Sequence, residues 1–382
     1  MAFSKVIGQE AAKNTLRQMA GGERLPHALL LLGPQGCGKL ALALALAQYI
    51  LCRDKTAADA CGQCPQCLKA EKLVHPDIHF SYPAVGPKAI SDQFASQWRA
   101  SVLANPYQDI NQWLQSIGAE NKQGNITRDE CVHIVKKLSL KAFEGEHKIL
   151  IMWLPEFLGK EGNRLLKIIE EPPDKTVFIL VAEDQEQILN TIISRCQIVN
   201  VKALSDEEVA AGLSAQQNLA PEQALRIAFL ANGNYNEALQ LAAQQANDNA
   251  GLFVDWMRKC FKGHGVEMAK WAEAFAGQGR ENQKYFLRYA LHFLRELSVV
   301  KICGADRARL QAAELATAQK MAAQLELEQL EQLGKLFSDC AFAVERNANP
   351  KILFLDASIQ MHKIMKGKSA EAYAGLPATV VP

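Results

Sequence analysis

Short apolar runs alternate with helical stretches over the first half of the chain, and long helical periodicity replaces that alternation in the second. The runs at 28–32, 148–153 and 177–182 are apolar and bounded by turn or polar residues. They predict buried strands of a parallel sheet, because a strand covered on both faces needs no polar alternation. Residues 1–203 therefore read as an α/β domain. A segment at 82–125 interrupts the pattern. It carries Pro83, Pro87, Pro106, Trp98 and Trp113, and is expected to be an inserted, partly helical excursion with both tryptophans packed as core.

After Leu204 the composition turns to Ala, Gln, Glu and Leu with few prolines. Ser205-Asp-Glu-Glu208 has the spacing of a capping box and opens this helical half. Asn232-Gly233-Asn234 signals a turn and Asn247-Asp-Asn-Ala-Gly251 a linker. The expected division is a small all-α bundle at 204–246, a larger one at 250–367, and a flexible tail at 368–382.

Between the first predicted strand and a helical run at 40–51 lies Gly33-Pro-Gln-Gly-Cys-Gly-Lys39. This is a phosphate-binding loop in its proper strand–loop–helix setting, and Gly33, Gly36, Gly38 and Lys39 are its candidate nucleotide contacts. The residue that should offer a hydroxyl to Mg²⁺ is Leu40. Where an acid pair is expected at the end of the 148–153 strand, the chain has Trp153-Leu154, and Glu156 nearby reads as a surface carboxylate. Two positions fail in the same direction, so intrinsic ATP hydrolysis is not expected. ATP binding is doubtful: Lys39 either still cradles phosphates or is a solvated lysine on an empty loop.

Cys52, Cys61, Cys64 and Cys67 follow the spacing C-x₈-C-x₂-C-x₂-C, with Gly62 and Pro65 supplying turns. Four thiolates complete the tetrahedral shell of a structural Zn²⁺ and leave no open position for catalysis. The other cysteines are scattered. A net charge of +1 argues against a dominant nucleic-acid grip by this chain alone. No apolar run approaches the ~18 residues of a membrane span, and the N-terminus lacks a signal-peptide core. The expected location is cytoplasmic, with no membrane partner.

Ser194-Arg195-Cys196 lies between apolar residues in Thr191-Ile-Ile-Ser-Arg-Cys-Gln197. Together with Asn163-Arg-Leu-Leu-Lys-Ile-Ile-Glu-Glu-Pro-Pro173, Ile7-Gly-Gln9, His75-Pro-Asp77 and Asn347-Ala-Asn-Pro-Lys-Ile352, it makes the chain resemble the clamp-loader branch of the AAA+ ATPases. The resemblance covers most of residues 3–365 outside the insertion.

The resemblance implies an AAA+ phosphate-loop domain with a zinc knuckle, then an all-α lid and an all-α collar that assembles a ring of five. It implies a replisome protein of the bacterial replicative DNA polymerase holoenzyme, a DNA-directed DNA polymerase complex that loads a sliding clamp on primed DNA. Its partners would be the motor subunits and the clamp-opening subunit. Arg195, within the motif of Ser194 and Cys196, would be a finger reaching ATP on the adjacent subunit. A guanidinium is always charged and suits a phosphate gaining negative charge. Related ATPases carry Gly-x-x-Arg in the lid, where this chain has Gly233-Asn-Tyr-Asn236. A non-hydrolysing subunit fits these losses. The alternative is an ATP-hydrolysing motor subunit of the same assembly.

Overall fold

The computed structural model describes residues 1–22, 25–120, 122–243 and 249–367. The expected tail at 368–382 lies outside the described residues, as do positions 247 and 248 of the expected linker. The chain divides into two compact units, Met1–Ala242 and Ala243–Pro382.

The first unit is built on a parallel sheet of five strands: β1 (Ala28–Leu32), β2 (Ile78–Ser81), β3 (Lys148–Trp153), β4 (Thr176–Ala182) and β5 (Gln197–Asn200), in the order β2-β3-β4-β1-β5. Every residue of β3 and β4 is buried. Alternate side chains serve opposite faces, as the two-residue strand period requires. Leu29, Leu31, Ile149, Ile151, Val177 and Ile179 join the core that holds the helix Lys39–Leu51. Leu30, Leu150, Met152, Phe178 and Leu180 pack with Ile134, Leu138 and Leu165 on the other side. The helix Lys39–Leu51 is buried at all its positions, which explains its nearly unbroken Leu and Ala.

β2 and β5 escape the sequence pattern. They are the sheet's edges, and their short runs Ile-His-Phe-Ser and Gln-Ile-Val-Asn mix polar and apolar residues.

The 82–125 segment holds two helices, Ala95–Ala104 and Ile110–Ser116. Its ends are joined by an antiparallel bridge between Ala84 and Asn125. Trp98 and Trp113 are buried core, as expected. Tyr82 stacks on Trp98 with centroids 4.0 Å apart, and Trp98 meets Trp113 at 5.1 Å and Trp153 at 5.3 Å. Trp113 Nε1 donates to the Pro83 carbonyl at 2.7 Å.

Three helices, Asp206–Gln217, Pro221–Ala231 and Tyr235–Ala243, complete the first unit. Ser205 and Glu208 form the expected reciprocal capping box. Asn232 and Gly233, both at positive φ, make the expected turn.

Among the described residues the second unit is helical: Asn249–Lys262, Gly265–Ala276, Arg280–Cys303, Ala312–Ala322, Leu327–Glu345 and Pro350–Met365. An aromatic core centres on Trp256, which stacks on Trp271 at 4.9 Å and on Phe337 at 5.4 Å. Asn349 caps the last helix by accepting from the Lys351 and Ile352 N–H groups.

Candidate functional site

The phosphate loop leaves β1 and enters the helix Lys39–Leu51 through Gly38 at φ 95°. Its glycines have steric reasons. A Cβ on Gly33 would lie 2.0 Å from the Val201 carbonyl oxygen, and one on Gly36 would lie 1.7 Å from Asn234 Oδ1. Lys39 is only 5% exposed, which removes the solvated-lysine reading. Its ammonium donates to the Pro34 carbonyl at 2.5 Å and lies 4.0 Å from a Glu183 carboxylate oxygen. Leu40 is buried in the core.

Trp153 and Leu154 are buried too. Packing accounts for both: Trp153 belongs to the aromatic cluster of the inserted segment, and Leu154 to the same core. Glu156, expected at the surface, is corrected by the structure. It turns inward to accept the backbone N–H of Glu183 at 2.5 Å and of Asp184 at 2.9 Å, and its other oxygen is buried without a hydrogen bond. Burial raises its pKa, against the pull of those N–H groups and of Lys39. Burial likewise raises that of Glu183, with Lys39 opposing. Glu183 thus lies beside the loop lysine, whose charge Glu156 also feels; the sequence named Glu156 but placed it at the surface, and Glu183 went unnoticed. Glu183 was findable in principle, since it directly follows β4, the strand beside β1.

Asn236, in the place of the expected lid arginine, is 1% exposed. It accepts from Asn105 Nδ2 at 2.6 Å and donates to Asp109 at 3.2 Å.

The four cysteine sulfurs of Cys52, Cys61, Cys64 and Cys67 lie within 4.8 Å of one another. Cys61 and Cys67 Sγ are 3.9 Å apart, close to the ~3.8 Å edge of a tetrahedron with Zn–S bonds of about 2.3 Å. Backbone N–H groups supply the outer shell. Cys61 N donates to Cys52 Sγ at 3.2 Å, and Cys64 N to Cys61 Sγ at 3.3 Å. N–H donors from Gln63 and Cys64 hold the Cys61 thiol down at about 6, while burial pushes Cys67 up. The set can hold a metal ion such as zinc, whose role with four protein thiolates is to cross-link the loop.

Arg195 sits in the turn after the short helix Asn190–Ile193. Its guanidinium pairs with Glu170 and donates through Nη1 to the Thr191 carbonyl at 2.6 Å and to Ser194 Oγ at 3.2 Å. Cys196 packs against the core, and burial pushes its thiol up to about 11. Among the described hydrogen bonds and ion pairs, none joins Arg195 to the phosphate loop of its own chain.

The family described as "DNA polymerase III, delta subunit" matches residues 8–205. The DNA polymerase III subunit delta' of Bacillus subtilis is 29% identical over 220 residues, covering 58% of this chain and 55% of that protein. The chain thus spans about half the length of that relative. The delta' subunit of Yersinia pestis is 26% identical over 306 residues, covering 70% of this chain and 77% of its own. The tau subunit of Escherichia coli is 26% identical over 248 residues, covering 63% of this chain and 32% of its own.

Proposed function

Because the chain belongs to the DNA polymerase III delta-prime subunit family, we propose that it serves as a non-hydrolysing clamp-loader subunit. In this reading it completes a neighbour's ATP site with Arg195. The carrying observation is the phosphate loop itself: Leu40 is built into the core, and Lys39 is engaged by Pro34 and Glu183. A chain so arranged lacks a magnesium hydroxyl and a free phosphate lysine, yet keeps a partly exposed guanidinium in the Ser-Arg-Cys turn.

On this proposal residues 204–246 act as a lid and 250–367 as a collar through which motor subunits and the clamp-opening subunit assemble. The loaded clamp and primed DNA are substrates of the whole assembly. Arg195 acts by placing planar paired donors beside the phosphate that gains charge in the transition state. Fingers of this kind are worth roughly 10³–10⁵ in rate. To reach a neighbour's nucleotide, Arg195 must exchange the exposed Glu170 pair for phosphate oxygens. A pair in water is weak enough to permit that.

The test is clamp- and DNA-stimulated ATPase of the reconstituted loader. Arg195→Ala is expected to lower turnover in a complex that still assembles, and the chain alone to be silent. Hydrolysis by the isolated chain would instead favour the motor reading, and unchanged turnover with Arg195→Ala would sink the finger role.

A further inference from the structure

The inserted segment does more than pack beneath its tryptophans. Its stretch Asn105–Asp109, between the helices Ala95–Ala104 and Ile110–Ser116, touches both the phosphate loop and the helices after residue 204. Tyr107 is 4% exposed there. Its ring lies 3.0 Å from where a Cβ on Gly38 would be. It meets the Tyr235 ring edge-on at 4.9 Å, and its hydroxyl accepts the Ile7 N–H at 2.9 Å. Asn105 and Asp109 flank it and together hold both ends of the Asn236 amide.

These contacts crowd the last loop glycine and the residues around it, and a nucleotide held by loop N–H groups needs that side of the loop open. A planar ring lies over the last loop glycine. A backbone N–H near the N-terminus is taken by a side-chain oxygen. The lid residue that replaces an arginine is bonded to the insertion instead of to a phosphate. The loop's opposite wall is closed as well: Tyr235 N–H donates to the Gly36 carbonyl at 3.0 Å, and Asn234 fills the space beside Gly36. The lysine is already committed to Pro34 and Glu183.

We propose that Asn105–Asp109 is an internal occupant of the nucleotide cleft, closing the phosphate loop to ATP and fastening the 206–243 helices to the α/β domain. The angle between those helices and the sheet is then independent of nucleotide. This inference stands whether or not Arg195 acts on a neighbour.

Hydrogen–deuterium exchange of the full chain tests it, comparing wild type with Tyr107→Phe and with an Asn105→Ala, Tyr107→Ala double variant. A parallel titration uses a fluorescent ATP analogue with Mg²⁺. The expected result is no saturable analogue binding by wild type. In the double variant, exchange at 33–40 and 232–238 should be at least about tenfold faster, with β3 and β4 unchanged, because local opening is separable from global unfolding. Saturable binding by wild type, or unchanged exchange at both stretches in the double variant, would overturn the proposal. If the double variant also loses protection in β3 and β4, Tyr107→Phe decides, since it keeps the ring and loses only the Ile7 bond. Faster exchange at residue 7 with 33–40 still protected supports the occupant; unchanged exchange at residue 7 rejects it.

Discussion

Arg195 and Glu170 form an ion pair that joins the two most distinctive motifs of the chain. Glu170 ends the helix Leu166–Glu170, ahead of Pro172-Pro173, and Arg195 lies in the Ser-Arg-Cys turn. Each partner is partly open to solvent, so the pair orients the guanidinium more than it stabilises the fold.

Glu170→Gln is therefore expected to change unfolding free energy by at most about 1 kcal/mol, the range of exposed pairs. In the reconstituted loader it should leave ATPase within a few-fold of wild type, whereas Arg195→Ala lowers it. Equal losses from both variants would mean that Arg195 matters only as half of a structural pair.

The cysteine module should carry one zinc per chain by elemental analysis of protein purified without chelator. Cys67→Ser is expected to lose the metal and lower the melting temperature, because metal binding free energy is folding free energy for such a loop. Acidification should release the metal, since protons compete for the thiolates. Retention of full zinc by Cys67→Ser would remove it from the ligand set.

Asp77 gives the fold a pH-dependent support. Its carboxylate accepts from the N–H groups of Phe143, Glu144 and Gly145 at 2.5, 2.8 and 2.7 Å. Burial raises its pKa, but those three donors outweigh burial and hold it below its ordinary value. A carboxyl lowered by folding stabilises above its unfolded pKa and loses that contribution as pH falls through its folded one. Asp77→Asn should thus be less stable than wild type at pH 7, with the gap narrowing below about pH 4. Urea denaturation at several pH values checks this; a gap independent of pH would contradict it.

Trp98 is the hub of Tyr82, Trp113 and Trp153. Trp98→Ala should cost about 3–5 kcal/mol through the cavity it leaves. A denaturant midpoint close to wild type would mean that the inserted segment is dispensable to the core.

The strands β1, β3 and β4 were legible in the sequence because they are the sheet's interior, where both faces demand apolar residues. β2 and β5 were not, since an edge strand of four residues with mixed polarity has no periodicity to distinguish it from a loop. The cysteine spacing foretold its cluster, because three ligands within seven residues leave the chain little freedom to separate them. Glu156 was misread as a surface carboxylate. Nothing near it in sequence reveals that the backbone after β4, 27 residues away, turns its N–H groups toward it.

By itself the sequence determined the α/β order, the glycine positions of the phosphate loop, the missing hydroxyl at Leu40 and the motif around Arg195. These are local properties, set by residue type and short spacing. Only the tertiary structure decided what faces the loop. Tyr107 reaches Ile7 across 100 residues, and Asn105 reaches Asn236 across 131. Groups so far apart in the chain meet only because the fold brings their elements together. Hydrogen bonds and packing there depend on distance in space, to which a period or a spacing is blind.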